Sequence, residues 1–314
     1  MVRRLLLASP RGYCAGVERA VETVERALEL QGSPVYVRRQ IVHNAHVVRD
    51  LERRGAIFVE SEEDVPEGAA LVLSAHGVAP AVHERAAQRG LRTVDATCPL
   101  VAKVHAEARR YAAEGYTILL IGHEGHEEVE GTLGEAPEAT VLVQTVDAAE
   151  RVRIPDPARV AYVTQTTLSV DETAEIVATL RRRFPEIEGP QAGDICYATT
   201  NRQRAVKELA VEIDLLLVIG SENSSNSKRL VETGRAAGVE AHLIEDEAAI
   251  DERWLEGAET VGITSGASAP EHLVRRVCDW FRARGVEEIV SAGAVFEDVF
   301  FRLPVEIRRA LPAA

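Results

Sequence analysis

A chain of 314 residues with 46% hydrophobic content is long enough for two or three domains with real cores. Its 36 basic and 50 acidic residues give a net charge of −14, which repels phosphate backbones, and 4% aromatic content offers little for base stacking, so no nucleic-acid partner is expected. The longest apolar runs, such as Leu215–Ile219, are too short to span a bilayer, and Leu5–Ala8 is too short for an export signal. A cytoplasmic location with no membrane partner is expected, and there four cysteines point to metal or catalytic use rather than to disulfides.

In chain order, an apolar strand is expected at 5–8, before Pro10-Arg11-Gly12-Tyr13-Cys14-Ala15-Gly16. A helix follows from the spacing of Val17, Ala20, Val21, Val24 and Leu28. Strands are expected at 35–37, 56–59 and 71–73, with a polar turn at His43-Asn44 and another at Ser74-Ala75-His76-Gly77. A strand at 93–95 leads into Asp95-Ala96-Thr97-Cys98-Pro99.

The order then repeats. Pro99 suits a first helical turn, and Val101, Val104, Ala108 and Tyr111 form the apolar stripe. A strand at 117–121 ends in the acidic loop His123-Glu124-Gly125-His126-Glu127-Glu128-Val129-Glu130. Strands at 140–143 and 160–164 follow, the latter ending in Gln165-Thr166-Thr167. The third round opens at Asp194-Ile195-Cys196-Tyr197, with a helix marked by Val206, Leu209 and Ala210. Its strand at 215–219 runs into Ser224-Ser225-Asn226, and strands at 241–244 and 261–264 end in Ser265-Gly266-Ala267-Ser268.

Cys14, Cys98 and Cys196 thus share one setting: each follows a strand and a turn, and each opens a helix. A polar residue stands 28 to 30 positions beyond each cysteine (His43, His126, Asn226), and a second stands 62 to 72 positions beyond (His76, Thr166, Ser268). Alternating strands and helices predict parallel sheets, with ligands beyond the C-terminal strand ends. The expected fold is α/β, with three pseudo-threefold-related lobes, each a mainly parallel sheet with flanking helices. They run 14–97, 98–195 and 196–285, with 1–13 supplying a strand to the third and 286–314 forming a C-terminal tail.

Three thiolates aimed at one centre suit iron bound as a cubane cluster with one iron left open. Zinc is the metal alternative, but the close C-x-x-C pairs usual for zinc are absent; three unrelated buried thiols are the bland alternative. A helix N-terminus stabilises a thiolate through the helix dipole. Cys278 lies in an amphipathic helix pattern and reads as core. His43, His76, His126, Ser224, Ser225, Asn226 and Ser268 offer donors, and possible positive charge, for a diphosphate. No Walker glycine loop is present. Three of the four acidic-loop glutamates read as solvated charges, and the fourth as a proton relay beside His126.

These motifs resemble the 4-hydroxy-3-methylbut-2-enyl diphosphate reductases of the non-mevalonate isoprenoid pathway. The resemblance runs from Arg11-Gly12-Tyr13-Cys14-Ala15-Gly16-Val17 to Gly266-Ala267-Ser268-Ala269-Pro270. It includes Ser74-Ala75-His76-Gly77-Val78, Asp95-Ala96-Thr97-Cys98-Pro99-Leu100-Val101, Thr164-Gln165-Thr166-Thr167-Leu168-Ser169, Cys196-Tyr197-Ala198-Thr199-Thr200-Asn201-Arg202-Gln203 and Asn223-Ser224-Ser225-Asn226-Ser227. It implies a three-lobed protein around one central 4Fe–4S cluster held by Cys14, Cys98 and Cys196. It implies diphosphate binding by His43, His76, His126, Ser224, Ser225, Asn226 and Ser268, with Thr166 near the substrate hydroxyl. His126 and Glu128 complete the catalytic set, with Glu128 as the proton-relay carboxylate. Glu127 stands where relatives often have proline, and the segment after Gly293 matches weakly. The implied reaction is reductive dehydroxylation to isopentenyl and dimethylallyl diphosphate, with electrons from a ferredoxin or flavodoxin. A non-redox dehydratase on the same cluster and an iron–sulfur sensor are the rival readings.

Overall fold

The computed structural model describes residues 2–293 and 295–310. In chain order the elements are β1 (Arg4–Ala8), α1 (Ala15–Gln31), β2 (Val35–Arg38), α2 (Ala45–Arg53), β3 (Ala56–Val59), β4 (Ala70–Leu73), α3 (Pro80–Gln88), β5 (Arg92–Asp95) and α4 (Pro99–Ala113). They continue with β6 (Thr117–Ile121), α5 (Glu127–Glu135), β7 (Thr140–Val143), α6 (Val146–Arg151), β8 (Val160–Thr164) and α7 (Val170–Arg183). The last are α8 (Tyr197–Leu209), β9 (Leu215–Ile219), α9 (Ser225–Ala236), β10 (Glu240–Ile244), β11 (Thr260–Ser265), α10 (Glu271–Arg282), β12 (Glu288–Ala292) and α11 (Val305–Ala310).

The fold is α/β with three lobes, each built on a wholly parallel sheet: β10-β9-β11-β1-β12, β3-β2-β4-β5 and β7-β6-β8. All three share one motif, in which the first strand after the cysteine helix lies between the next two. A further segment then pairs beside the third strand and leads into a cysteine. It is β1 beside β11, β5 beside β4, and a single parallel bridge from Glu188 beside β8. The segment 286–314, set apart above as a tail, contains β12, which pairs with β1 from Arg4↔Glu288 to Ala8↔Ala292.

Two compact units carry these sheets. The first comprises Met1–Val17, His43–Val47 and Tyr197–Phe300, and holds the five-stranded sheet. Helices cover both faces of β9, the second strand of this sheet, so the run Leu215–Ile219 is apolar throughout instead of alternating. Leu215, Leu217 and Ile219 pack with Leu273, Val277 and Phe281 of α10. Leu216 and Val218 pack on the other face with Val206 and Leu209 of α8 and Leu230 of α9. Each such buried aliphatic side chain stabilises the fold by about 1.5–3 kcal/mol.

The second unit comprises Glu18–Val42, Val48–Cys196 and Phe301–Ala314, and holds the other two sheets. Leu119 and Ile121 face Ile176 and Leu180 of α7, while Ile118 and Leu120 face Val104, Ala108 and Tyr111 of α4. Leu71 and Leu73 of β4 pack on Val82 and Ala86 of α3. No described helix is long and apolar enough to cross a membrane.

Candidate functional site

In the first unit, the turn before Cys14 is built from Gly12, whose φ of +75° favours a residue without a Cβ. Its N–H donates to Ser265 Oγ at 2.8 Å, and its carbonyl accepts from Arg202 Nη2 at 2.9 Å. Arg202 is fully buried and also pairs with Glu297 at 3.1 Å, so the C-terminal segment is tied to α8. Tyr197 Oη accepts the Ala15 N–H at 3.1 Å, and burial pushes the Tyr197 phenol up.

Two helices begin within this unit at candidate anion-binding residues. His43-Asn44 precedes α2, where Asn44 Oδ1 accepts from the N–H groups of His46 and Val47 at 3.1 and 3.2 Å. Ser224 caps α9, its Oγ accepting from Ser227 N and Ser227 Oγ at 3.3 and 3.0 Å. Any Cβ at Gly220 or Gly266, at the ends of β9 and β11, would overlap the Ser227 hydroxyl. Ser268 Oγ donates to the His43 carbonyl at 2.9 Å. His43, Ser225 and Asn226 therefore belong to helix starts, where orphan N–H groups and the dipole favour an anion. Asn226 is 5% exposed, and its Nδ2 is a buried donor with no partner among the described residues. An unsatisfied buried amide of this kind is costly unless a ligand meets it.

In the second unit, His126 caps α5 and its Nδ1 accepts the Glu128 N–H at 3.2 Å. The ring proton of neutral His126 therefore sits on Nε2. Burial, helped by neighbouring His76, pushes His126 down to about 3. His126 is thus a neutral imidazole rather than the positive charge allowed for above. The Glu128 carboxyl is buried, and burial pushes it up to about 7. Its Oε1 accepts the Thr166 N–H at 2.6 Å, and its Oε2 accepts the Thr166 hydroxyl at 3.0 Å. When the carboxyl is protonated the proton belongs on Oε2, because a backbone N–H already occupies Oε1 and has no lone pair to receive it.

The acidic segment is not a loop of solvated charges. It enters α5 at Glu127, and of its four glutamates only Glu124 and Glu130 are exposed. The Glu127 side chain is 14% exposed, and its Oε2 lies 3.3 Å from His76 Nδ1 and 3.4 Å from Ser74 Oγ. Burial alone would push Glu127 up, but the hydrogen bond and charge of His76, with Arg39, hold it below the usual carboxylate range. The sequence pattern alone placed this residue among the solvated charges. The available signal was its position one step after a helix-capping His126.

The three cysteine turns are fixed alike. Cys14 N donates to Ala267 O at 3.2 Å, Cys98 N to Ala75 O at 2.9 Å, and Cys196 N to Thr166 O at 3.0 Å. Each acceptor lies just beyond the third strand of a sheet, at or next to Ser268, His76 and Thr166. Asp95 Oδ1 shapes the Cys98 turn by accepting from Thr97 N at 2.8 Å. Buried Asp194 shapes the Cys196 turn, accepting from Thr164 N at 2.9 Å and Lys103 Nζ at 3.0 Å. None of the three cysteines is in a disulfide, and each is half-buried at the start of a helix. Reduced thiols at helix N-termini fit the thiolate donor set that iron–sulfur clusters take. Cys278 is different: it is buried in the α10 core, and burial pushes its thiol up.

The model of the LytB protein family matches residues 5–282. The chain is 61% identical to the 4-hydroxy-3-methylbut-2-enyl diphosphate reductase of Acidothermus cellulolyticus, over 99% of this chain and 92% of that protein. It is 59% identical to the reductase of the same name from Nocardia farcinica, over 98% and 91%. Among solved structures it is similar to the E-1-hydroxy-2-methyl-but-2-enyl-4-diphosphate reductase from Plasmodium falciparum, with a TM-score of 0.95, 41% identity and 98% of each chain covered. It is also similar to an (E)-4-hydroxy-3-methyl-but-2-enyl diphosphate reductase described as the terminal enzyme of the non-mevalonate pathway, with a TM-score of 0.63, 32% identity, and coverage of 90% of this chain and 100% of that one.

Proposed function

The chain belongs to the LytB protein family, and we propose that Cys14, Cys98 and Cys196 hold one 4Fe–4S cluster beside a diphosphate site. It is an iron–sulfur oxidoreductase of the non-mevalonate isoprenoid pathway that reduces 4-hydroxy-3-methylbut-2-enyl diphosphate to isopentenyl and dimethylallyl diphosphate. The observation that carries the cluster assignment is the repeated tether, one cysteine N–H held to one strand-end carbonyl in each sheet system. The lobes 14–97, 98–195 and 196–285, with 1–13 adding a strand to the third, would be the three arms of this arrangement, and 286–314 its closing segment. When bound, the cluster supplies electrons one at a time and an open iron position with Lewis-acid character.

The chain's own residues bind, orient and protonate. His43, His76, His126, Ser224, Ser225, Asn226 and Ser268 hold the diphosphate, supported by the helix starts at α2, α5 and α9 and by the Asn226 Nδ2, which has no partner among the described residues. Thr166 faces the substrate hydroxyl, and Glu128 passes a proton through Oε2 to Thr166 Oγ1. The balance is two electrons and two protons taken up, one C–O bond broken, one C–H bond formed and one water released. A small one-electron carrier, a ferredoxin or flavodoxin, is the matching donor class, and cysteines outside disulfides suit a reducing cytoplasm.

Anaerobically prepared protein should convert the allylic diphosphate only when a one-electron reductant is present. Turnover without reductant would make the chain a dehydratase, and iron binding with no turnover under either condition would make it a sensor.

A further inference from the structure

Glu127 is a carboxylate placed among groups assigned to bind an anion, which on charge alone is the wrong residue. Its surroundings explain its presence. Oε2 meets two donors, His76 Nδ1 at 3.3 Å and Ser74 Oγ at 3.4 Å, and both His76 and Glu127 are largely withdrawn from solvent, with side chains 16% and 14% exposed. Titratable or charged groups acting on the pair include His126, Arg39 and Glu128. The His126 ring stands edge-on to His76 with centroids 5.9 Å apart. Neighbouring His126 is oriented through its Nδ1 by a backbone N–H, and His76 through its Nδ1 by a side-chain carboxylate.

We propose that Glu127 is a positioning residue for diphosphate recognition, holding the His76 ring by its Nδ1–H so that Nε2 serves the phosphate. This rests on the assignment of His76 to the diphosphate site. With Nδ1–H committed to Glu127, Nε2 donates to a phosphate oxygen only when the ring carries both protons. The carboxylate behind the ring balances that charge, and the front hydrogen bond becomes charge-assisted. A glutamine at 127 still reaches Nδ1, but it supplies no compensating charge. The two histidines then act differently: His126 offers a neutral Nε2–H, and His76 a charge-assisted one.

The sign of the effect separates this role from plain repulsion. A carboxylate that only repelled the ligand would weaken binding, so Glu127→Gln would lower KM. A positioning carboxylate gives the opposite result. Charge-assisted hydrogen bonds are about twice as strong as neutral ones, so KM and the inhibition constant of inorganic diphosphate should each rise roughly 5- to 10-fold. The value of kcat and the iron content should stay near wild type.

The test is a double-mutant cycle on the cluster-loaded enzyme with Glu127→Gln, His76→Ala and the double variant, reading KM, kcat and inorganic diphosphate inhibition. The expected result is that Glu127→Gln adds less than about twofold once His76 is alanine, since its effect runs through that ring. A fall or no change in KM for Glu127→Gln would overturn the inference, as would two effects that multiply. If His76→Ala itself leaves KM and diphosphate inhibition unchanged, the assignment of His76 to the diphosphate fails first, and the role of Glu127 fails with it. Loss of iron in Glu127→Gln would also count against it, by making the residue structural.

Discussion

Glu128 is buried, and that burial raises its carboxyl to about 7 despite two hydrogen bonds from Thr166, which keeps a substantial acid fraction at neutral pH. A proton donor must be in its acid form, which is present below that value and lost as pH rises through it. Turnover by the wild type should therefore fall above about pH 7, by roughly tenfold per pH unit if this proton limits the rate. Glu128→Gln keeps the size of the side chain and its contact with Thr166 but has no titratable proton. Its kcat should drop by about 100-fold or more, with the iron content kept and KM near wild type. Steady-state kinetics against pH decide this, and a normal kcat with the same alkaline limb would place the proton donor elsewhere. Glu124→Gln, on an exposed residue, is the silent control. At this scale the helix-start setting of Cys14, Cys98 and Cys196 and the strand-end setting of His76, Thr166 and Ser268 were legible from the sequence. The Glu127–His76 pair was not, because it joins residues of two different sheet systems, and no local pattern records such a contact.

The recurring element is a strand running into a helix start. The runs Thr117–Ile121 and Leu215–Ile219 are readable from sequence because burial on both faces makes them continuously apolar. Helices α2, α5 and α9 are harder to read. Their first turns are polar and carry candidate ligands, so the pattern looks like a loop until the caps at Asn44, His126 and Ser224 are recognised. β12 is half exposed at a sheet edge and lacks a strong apolar run, which left 286–314 without an expected element. The caps and ligands should separate on mutation. Ser224→Ala removes the cap of α9 and should cost about 1 kcal/mol of stability as well as diphosphate affinity. Asn226→Ala removes a buried Nδ2 donor that has no partner among the described residues, so it should weaken diphosphate binding roughly 10-fold or more with little loss of Tm. Thermal unfolding paired with KM for both variants tests this, and a large loss of Tm in Asn226→Ala would make that residue structural.

For the whole molecule, the central claim is that one local design, used three times, supplies three thiolates to one cluster. The shared strand order and the three cysteine N–H tethers support it, and Cys278 provides an internal control because it lies in the α10 core. The decisive measurement is iron and sulfide content, with Mössbauer spectra, of anaerobically prepared Cys14→Ser, Cys98→Ser, Cys196→Ser and Cys278→Ser. Hard oxygen replaces thiolate on iron poorly. The wild type and Cys278→Ser should carry about four irons per chain, and each of the other three variants should lose most of its iron. Full iron in Cys14→Ser together with loss in Cys278→Ser would contradict the threefold account.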